Sequence, residues 1–452
     1  MAAFALAAPS RSHKAPPPKA PPPVIVENGE EPPPPLSSAA ERVYEMSRPK
    51  ILQIRTLLQA AGRQSTIGSG FVVTSDGFAI TNYHVVSQFA LDPKTYRLEY
   101  LAPDGARGSL KLLAIDVPND LAVVKLERAG PPHFEFEPRA LAGRLPKGER
   151  IYAMGNPLDL GFTIVEGTYN GVVANTYDER IHFSGTINPG MSGGPVTAAD
   201  GRIVGVNVAK RLDGEAVGFL VPVKHAAALL ERARKGPPLA VDKAREEVGR
   251  QLDTWQAGFY QALRTTGFRR GAYGPYRGLE SLAPWVTCWG ATNSGQVPHS
   301  RTALNTTRCA TESGIFVSDR LLTGRVEFSY AYYKANGLNA FQFARELSQR
   351  GGGPFDAKGG RRLTEQECRD DFITMGTGHP ALRVTWCMRA YREFEGLYNV
   401  TVVALTQDRD REALLAQLSM QGISHANALA LGRRFLEAIE WSQEPLAPGK
   451  PK

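Results

Sequence analysis

At 452 residues the chain is too long for one hydrophobic core and long enough for two domains with tails. Its 42% hydrophobic and 22% charged residues suit a soluble globular protein, and the net charge of +8 is scattered, without the like-charge blocks or basic-aromatic alternation of a nucleic-acid groove. No run approaches the roughly 18 apolar residues of a membrane-spanning helix, so neither nucleic acid nor a membrane span is expected.

In chain order, residues 1–46 open on MAAFALAA, which looks like the end of a signal peptide's apolar region but has no basic start, and continue into a proline-rich stretch. Residues 9–35 (PSRSHKAPPPKAPPPVIVENGEEPPPP) can neither bury apolar surface nor donate regular backbone hydrogen bonds, which predicts a semi-extended tether. Within residues 47–235 short β-branched or alternating runs follow, among them GSGFVVTS, FAITNYHVV, LAVVKL, RIYAMGNP, RIHFSGTI and GRIVGVNVAK, cut by Gly, Pro, Asn and Asp. Such closely spaced short strands predict an all-β sandwich or barrel, with TSDGF and AADGR as Asp-Gly hairpin turns. HAAALLERAR (225–234) then predicts a helix stopped by Gly236 and two prolines.

Residues 236–265 read as a linker and an amphipathic helix with Val248, Leu252, Trp255, Phe259 and Leu263 on one face. Residues 266–445 mix strand-like runs (GIFVSD, GRVEFSYAYYK, RVTWCMRAYREF, LYNVTVVALT) with helical ones (NAFQFARELSQ, DREALLAQLSMQ, ANALALGRRFLEAIEW), an α+β pattern followed by a tail at 446–452. Each cysteine pair there precedes strand-like runs and an amphipathic helix ending near Gln349 or Gln421, a pattern compatible with a duplicated half-domain.

Cys288, Cys309, Cys368 and Cys387 all lie in this second half and allow three connectivities. Sequential pairing would close two short loops, each bridge contributing about 3 kcal/mol if oxidised; four buried reduced thiols are the alternative. No CxxC or HxxxH spacing supports zinc, so no metal site is expected.

Three stretches carry chemistry. TNYHVV places His84 near the end of a strand, NDLAVVKL places Asp120 at the start of another, and NPGMSGGPV places Ser192 in a glycine-rich turn. A serine hydroxyl becomes nucleophilic only when an imidazole takes its proton, and that imidazole must be held in one tautomer by a carboxylate. The tetrahedral intermediate needs backbone donors at its oxyanion, which a sharply turned, side-chain-poor loop can supply; Gly190 and Ser192 are the candidate donors.

With those residues in the order His, Asp, Ser, the stretches GSGFVVTSDGFAITNYHVV, NDLAVVKL, AMGNPLDLGFTIVEGTYNGVV, INPGMSGGPV, GRIVGVNVAK and VGFLVPV resemble successive landmarks of the HtrA/Deg branch of the trypsin-like serine proteases. The resemblance spans about 68–223 and implies an all-β pair of six-stranded barrels with the active site between them, followed here by the α+β domain. It implies His84 as general base, Asp120 as its orienting acid, Ser192 as nucleophile and the amides of Gly190 and Ser192 as oxyanion hole, with no cofactor. It also implies a primary pocket based on Thr186, beside Ile187, with walls near Asn207, Val208 and Ala209. Thr186 could equally belong to a strand and point elsewhere, because a shift of one position reverses its face. None of the pocket residues is acidic, so cleavage after small or medium aliphatic residues is expected.

Two departures stand out. Met191 occupies the place where this branch usually has Asn, and Pro189 precedes the oxyanion glycine, which predicts a stiffer loop. After residue 236 no glycine-rich carboxylate-binding loop of a PDZ domain is recognisable. The expectation is therefore an endopeptidase acting on protein or peptide substrates in protein quality control, exported to a periplasm or secreted. An unidentified partner for the C-terminal domain and a homo-oligomer are both compatible with it. A scaffold built on a protease fold and a self-processing protease are the competing readings.

Overall fold

The computed structural model describes residues 38–156, 161–208, 218–295, 300–311, 314–319, 321–350 and 360–442. The apolar start, the proline-rich stretch and the tail at 446–452 lie outside these residues. The tether expected through residue 46 ends earlier, because helix α1 (Ser38–Ser47) begins once the last proline is passed. Its SAAERVYEMS sequence holds good helix formers and sets Ala40 and Val43 one turn apart, both buried among second-barrel and neighbouring residues.

The first barrel consists of β1 (Ile51–Leu58), β2 (Gln64–Val72), β3 (Phe78–Thr81), β4 (Tyr96–Leu101), β5 (Arg107–Asp116) and β6 (Leu121–Leu126). They pair in the order β1-β2-β3-β6-β5-β4 and close through β4 on β1. Helix α2 (Tyr83–Leu91) leaves β3 directly, so His84 sits in the first turn of a helix and not at a strand's end. After the short helix α3 (Pro138–Leu141), the second barrel is built from β7 (Arg150–Gly155), β8 (Thr163–Val172), β9 (Ile181–Phe183), β10 (Pro195–Thr197), β11 (Ile203–Val208) and β12 (Gly218–Pro222). Its order is β10-β11-β12-β9-β8-β7, again closed. Both Asp-Gly turns join antiparallel neighbours as expected, with Gly77 at φ 90° and Gly201 at φ 82°. Helix α4 (Val223–Lys235) packs Val223, Ala226, Leu229 and Leu230 into the core between the barrels and ends at Gly236.

Helix α5 (Ala244–Thr265) ties the two halves together. Ala244, Val248 and Leu252 enter the core of the first barrel, while Phe259 and Leu263, two to three turns on, enter the core of the C-terminal sheet. The side chain of buried Gln251 accepts from the Val117 amide (2.8 Å) and donates to the Ile115 carbonyl (2.9 Å), anchoring α5 to the backbone of the first barrel.

Beyond α5, β13 (Arg269–Tyr273), β14 (Tyr276–Ser281) and the terminal β24 (Glu440–Trp441) form a small sheet. The main C-terminal sheet has seven antiparallel strands, comprising β15 (Val286–Thr292), β16 (Thr302–Thr311), β19 (Val326–Ala335), β20 (Glu367–Ile373), β21 (Leu382–Ala390), β22 (Tyr398–Thr406) and β23 (Glu412–Ile423). Their order is β15-β16-β19-β23-β22-β21-β20. A two-stranded hairpin, β17 (Ile315–Ser318) with β18 (Leu321–Thr323), projects from it. Helix α7 (His425–Glu437) packs on β22 and β23, and α6 (Ala340–Arg350) inserts Phe343 beside Tyr333, Leu338 and Ala413.

The sequence-based expectation fails at DREALLAQLSMQ, which is strand β23 and not a helix. Its Ala, Leu and Gln favour helix locally, but the segment lies between β19 and β22, where most of its side chains are buried and both edges gain ladder hydrogen bonds. A duplicated half-domain ending at Gln421 therefore loses its second helix. What recurs is a cysteine-bridged hairpin at each edge of the sheet: Cys288 lies directly opposite Cys309 and Cys368 opposite Cys387, and both pairs are disulfide-bonded.

Candidate active site

The site is assembled from both barrels. Strand β2 reaches across to the Ser192 loop: the Ser69 amide donates to the Ser192 carbonyl (2.8 Å). The Ser69 hydroxyl donates to the Gly190 carbonyl (2.7 Å) and accepts from the Asn156 amide (2.9 Å). Such approach requires glycine at two places. A Cβ on Gly68 would lie 2.5 Å from a Val85 methyl and 3.2 Å from the Ser192 carbonyl, so this glycine is sandwiched between the residue after His84 and the backbone of Ser192. Gly193 is at φ 81°, and a Cβ there would lie 2.4 Å from the Ser69 carbonyl and 2.8 Å from the Asn82 amide. The Ser192 loop and the segment leading into His84 are thus in van der Waals contact.

Asp120 closes the turn before β6 and has φ 57°, a left-handed conformation that aspartate tolerates at a cost on the order of 1 kcal/mol. The turn sends its carboxylate back toward α2. One oxygen accepts from the His84 amide (2.9 Å) and the other lies 2.7 Å from His84 Nδ1. Its carbonyl accepts from the Tyr83 amide (3.1 Å) and the Asn82 side chain (2.8 Å). With Nδ1–H donating to the carboxylate, the neutral imidazole keeps its lone pair on Nε2. The His84 side chain is 20% exposed and that of Asp120 11%, so the imidazole is reachable while its partner is shielded.

Burial by itself lowers the His84 pKa, but the charge and hydrogen bond of Asp120, with a contribution from Asp319, outweigh it and hold the imidazole above its ordinary 6.5. Ser192 is buried to 5% exposure in the turn formed by Asn188–Gly194. In that turn Met191 N–H donates to the Asn188 carbonyl and Gly194 N–H to the Met191 carbonyl. Among the described residues neither the Gly190 amide nor the Ser192 amide donates to a protein acceptor, and Gly190 adopts φ 94°. Two unpaired donors two residues apart in one tight turn can receive a negative oxygen.

The expected pocket residues are distributed differently. Thr186 follows β9 outside any strand and is exposed between the buried Gly185 and Ile187. Ile187 is buried in the second-barrel core. Asn207 is fully buried and donates its amide to the carbonyls of Met154 (2.9 Å) and Met191 (3.2 Å). Its side chain therefore braces the Ser192 loop from within the core and is no pocket wall. Val208 is half-buried at the end of β11, and Ala209 lies outside the described residues. Among the described residues no cluster of His, Cys, Asp and Glu has the geometry to hold a metal ion.

Sequence reasoning missed four residues here. Ser69 and Asn82 stand inside quoted stretches, yet only their partners reveal their roles. Phe316 and Asp319 come from the β17–β18 hairpin of the C-terminal half: the Phe316 ring packs edge-on against the His84 imidazole at 5.7 Å, and Asp319 accepts from the Gln88 side chain (2.6 Å). No local signal marks either.

Comparison with known proteins finds relatives over the barrel region. The trypsin-like peptidase domain family matches residues 68–206. A putative serine protease HhoB of Synechocystis is 36% identical over 177 residues, which cover 37% of this chain and 40% of that protein. A probable periplasmic serine endoprotease DegP-like of Chlamydia muridarum is 30% identical over 179 residues, covering 38% of this chain and 34% of the relative. Among solved structures, the serine endoprotease from Yersinia pestis aligns with 45% of this chain and 70% of its own at 24% identity and a TM-score of 0.38. The chain thus spans about two fifths of the length of the first of these relatives, through the barrel region. It carries a trypsin-like peptidase domain akin to those of HtrA/DegP-like serine proteases, joined to a disulfide-bonded antiparallel sheet.

Proposed function

We propose that this chain is a serine endopeptidase in which His84, Asp120 and Ser192 act as a triad. The observation that carries the reading is the His84 Nδ1 to Asp120 contact of 2.7 Å beside a serine turn with two unpaired amides. His84 Nε2 takes the hydroxyl proton as Ser192 Oγ bonds to the scissile carbonyl carbon. The oxyanion is met by the amides of Gly190 and Ser192, and the imidazolium gives its proton to the leaving amine as the C–N bond breaks. Water, deprotonated by the same imidazole, then hydrolyses the acyl-enzyme. Asp120 stays ionised throughout and keeps the ring in one tautomer.

The loop is stiffened by more than Pro189: Ser69 ties the Gly190 carbonyl to the Asn156 amide, and Asn207 ties Met154 to Met191. We read cleavage after small or medium aliphatic side chains from Thr186 and Val208, neither of which offers a carboxylate to a basic residue. The two disulfides, with the periplasmic designation of the Chlamydia relative, favour an exported protein acting on unfolded polypeptides.

A fluorophosphonate probe tests the reading. Covalent labelling that disappears in Ser192→Ala is expected, and an unlabelled wild-type protein would refute the assignment. Profiling with a peptide library tests the specificity; dominant cleavage after Arg or Lys would contradict it.

A further inference from the structure

The β17–β18 hairpin belongs by chain order to the C-terminal half, yet its core contacts extend into the first barrel and α2. Ile315, Val317 and Leu321 are buried in one cluster with Tyr83, Val85, Val86 and Leu91 around α2. Phe316, between Ile315 and Val317, is half-buried against the same cluster. Its ring meets the imidazole of His84 at 5.7 Å and an interplanar angle of 67°, and the phenol ring of Tyr83 at 6.5 Å. Two hydrogen bonds fasten the hairpin to α2 on either side of His84: the Tyr83 hydroxyl donates to the Val317 carbonyl (3.0 Å), and the Gln88 side chain donates to Asp319 (2.6 Å).

From this arrangement we propose that Phe316 is a positioning residue for the general base, so that the accessory domain completes the active site of the protease. The proposal rests on the endopeptidase reading above. A base held only through Nδ1 to Asp120 can still swing about that hydrogen bond, carrying Nε2 away from the serine. A ring packed against the imidazole from outside removes that freedom. Asp319 adds a second carboxylate near the ring, beyond Asp120, and both favour the protonated imidazole against the effect of burial. The barrels thus supply the reacting groups, and the hairpin restrains the one that must move a proton twice per cycle.

The test uses the full-length protein with Phe316→Ala, Phe316→Leu and Tyr83→Phe, the last removing only the hydroxyl that holds Val317. Steady-state hydrolysis of a peptide and the nitrogen-15 and Nδ1–H resonances of the His84 imidazole are measured on each. Phe316→Ala is expected to lower kcat about tenfold with KM within about twofold, and to broaden the Nδ1–H resonance through faster exchange. Phe316→Leu should recover part of both, and Tyr83→Phe should give a smaller loss in the same sense. If Phe316→Ala does not fold, the other two variants carry the comparison. Folded variants with wild-type kcat and unchanged His84 resonances would overturn the proposal. Should the wild-type protein hydrolyse nothing and resist the fluorophosphonate, the endopeptidase reading falls, and the resonances alone then decide whether the hairpin holds His84.

Discussion

The two halves of the molecule solve the problem of the exposed strand edge in opposite ways. Each barrel closes on itself, β4 onto β1 and β7 onto β10, so no strand is left with an unpaired side, and the barrels contain no cysteine. The C-terminal sheet stays open. Its edge strands β15 and β20 are exposed along nearly their whole length, and each is bonded to its inner neighbour by a disulfide between directly opposed residues. Edge strands that bury little apolar surface gain little from the hydrophobic effect, and a covalent cross-link replaces part of that loss. Closure also gives the barrels the rigidity that a reacting constellation demands, whereas the sheet contributes one projecting hairpin.

If reactivity resides in the barrels, the largest effect comes from the nucleophile. Ser192→Ala should reduce kcat by about a millionfold while leaving the far-ultraviolet circular dichroism and the disulfides untouched. Asp120→Asn should follow at ~10⁴-fold in kcat, since the amide would hold the imidazole in the wrong tautomer; a loss of only a few-fold would show that the carboxylate is merely structural.

The opposite side of the comparison is broken by reductant. Opening the bridges should destabilise the C-terminal sheet by about 3 kcal/mol each, read as an earlier denaturation midpoint for Trp fluorescence, while fluorophosphonate labelling persists. Equal destabilisation of both halves would mean that they unfold as one unit through α5. Smaller again is Ser69→Ala, which leaves the Gly190 carbonyl and the Asn156 amide without their shared partner. A loss of about 10- to 100-fold in kcat with little change in KM is expected from a misplaced oxyanion turn.

The smallest effect concerns pH. Because His84 is held above its ordinary value, it stays protonated, and inactive as a base, to a higher pH than a free imidazole. The acid limb of the kcat/KM profile should therefore lie above 6.5. The linkage to folding has the opposite sense: a raised folded-state pKa adds stability that is complete below the unfolded value and is lost as pH rises through the folded one. Replacing Asp319 with Asn should move the acid limb downward, and a limb left in place would remove Asp319 from the account.

How legible each part was follows from how local its causes are. Hairpin turns, the α4 stop and the amphipathic face of α5 depend on neighbours a few residues away, and all were readable. Segment 410–421 was misread because its burial between β19 and β22 depends on strands far away in the chain. Asn207 was misread for the same reason: its amide is consumed by Met154 and Met191, carbonyls that only the closed barrel brings to it.

What the amino-acid order alone determined is the inventory of chemistry: a histidine, an aspartate and a serine in motifs that resemble those of one protease family, glycines where a turn needs positive φ, and cysteines confined to one half. Tertiary structure decided which of these groups touch. It brought Asp120 to His84 through a left-handed turn, laid Ser69 across the Ser192 loop, and placed Phe316 against an imidazole more than two hundred positions earlier in the chain. Contacts of that kind are fixed by packing and loop closure over long separations, and no window of sequence contains both partners.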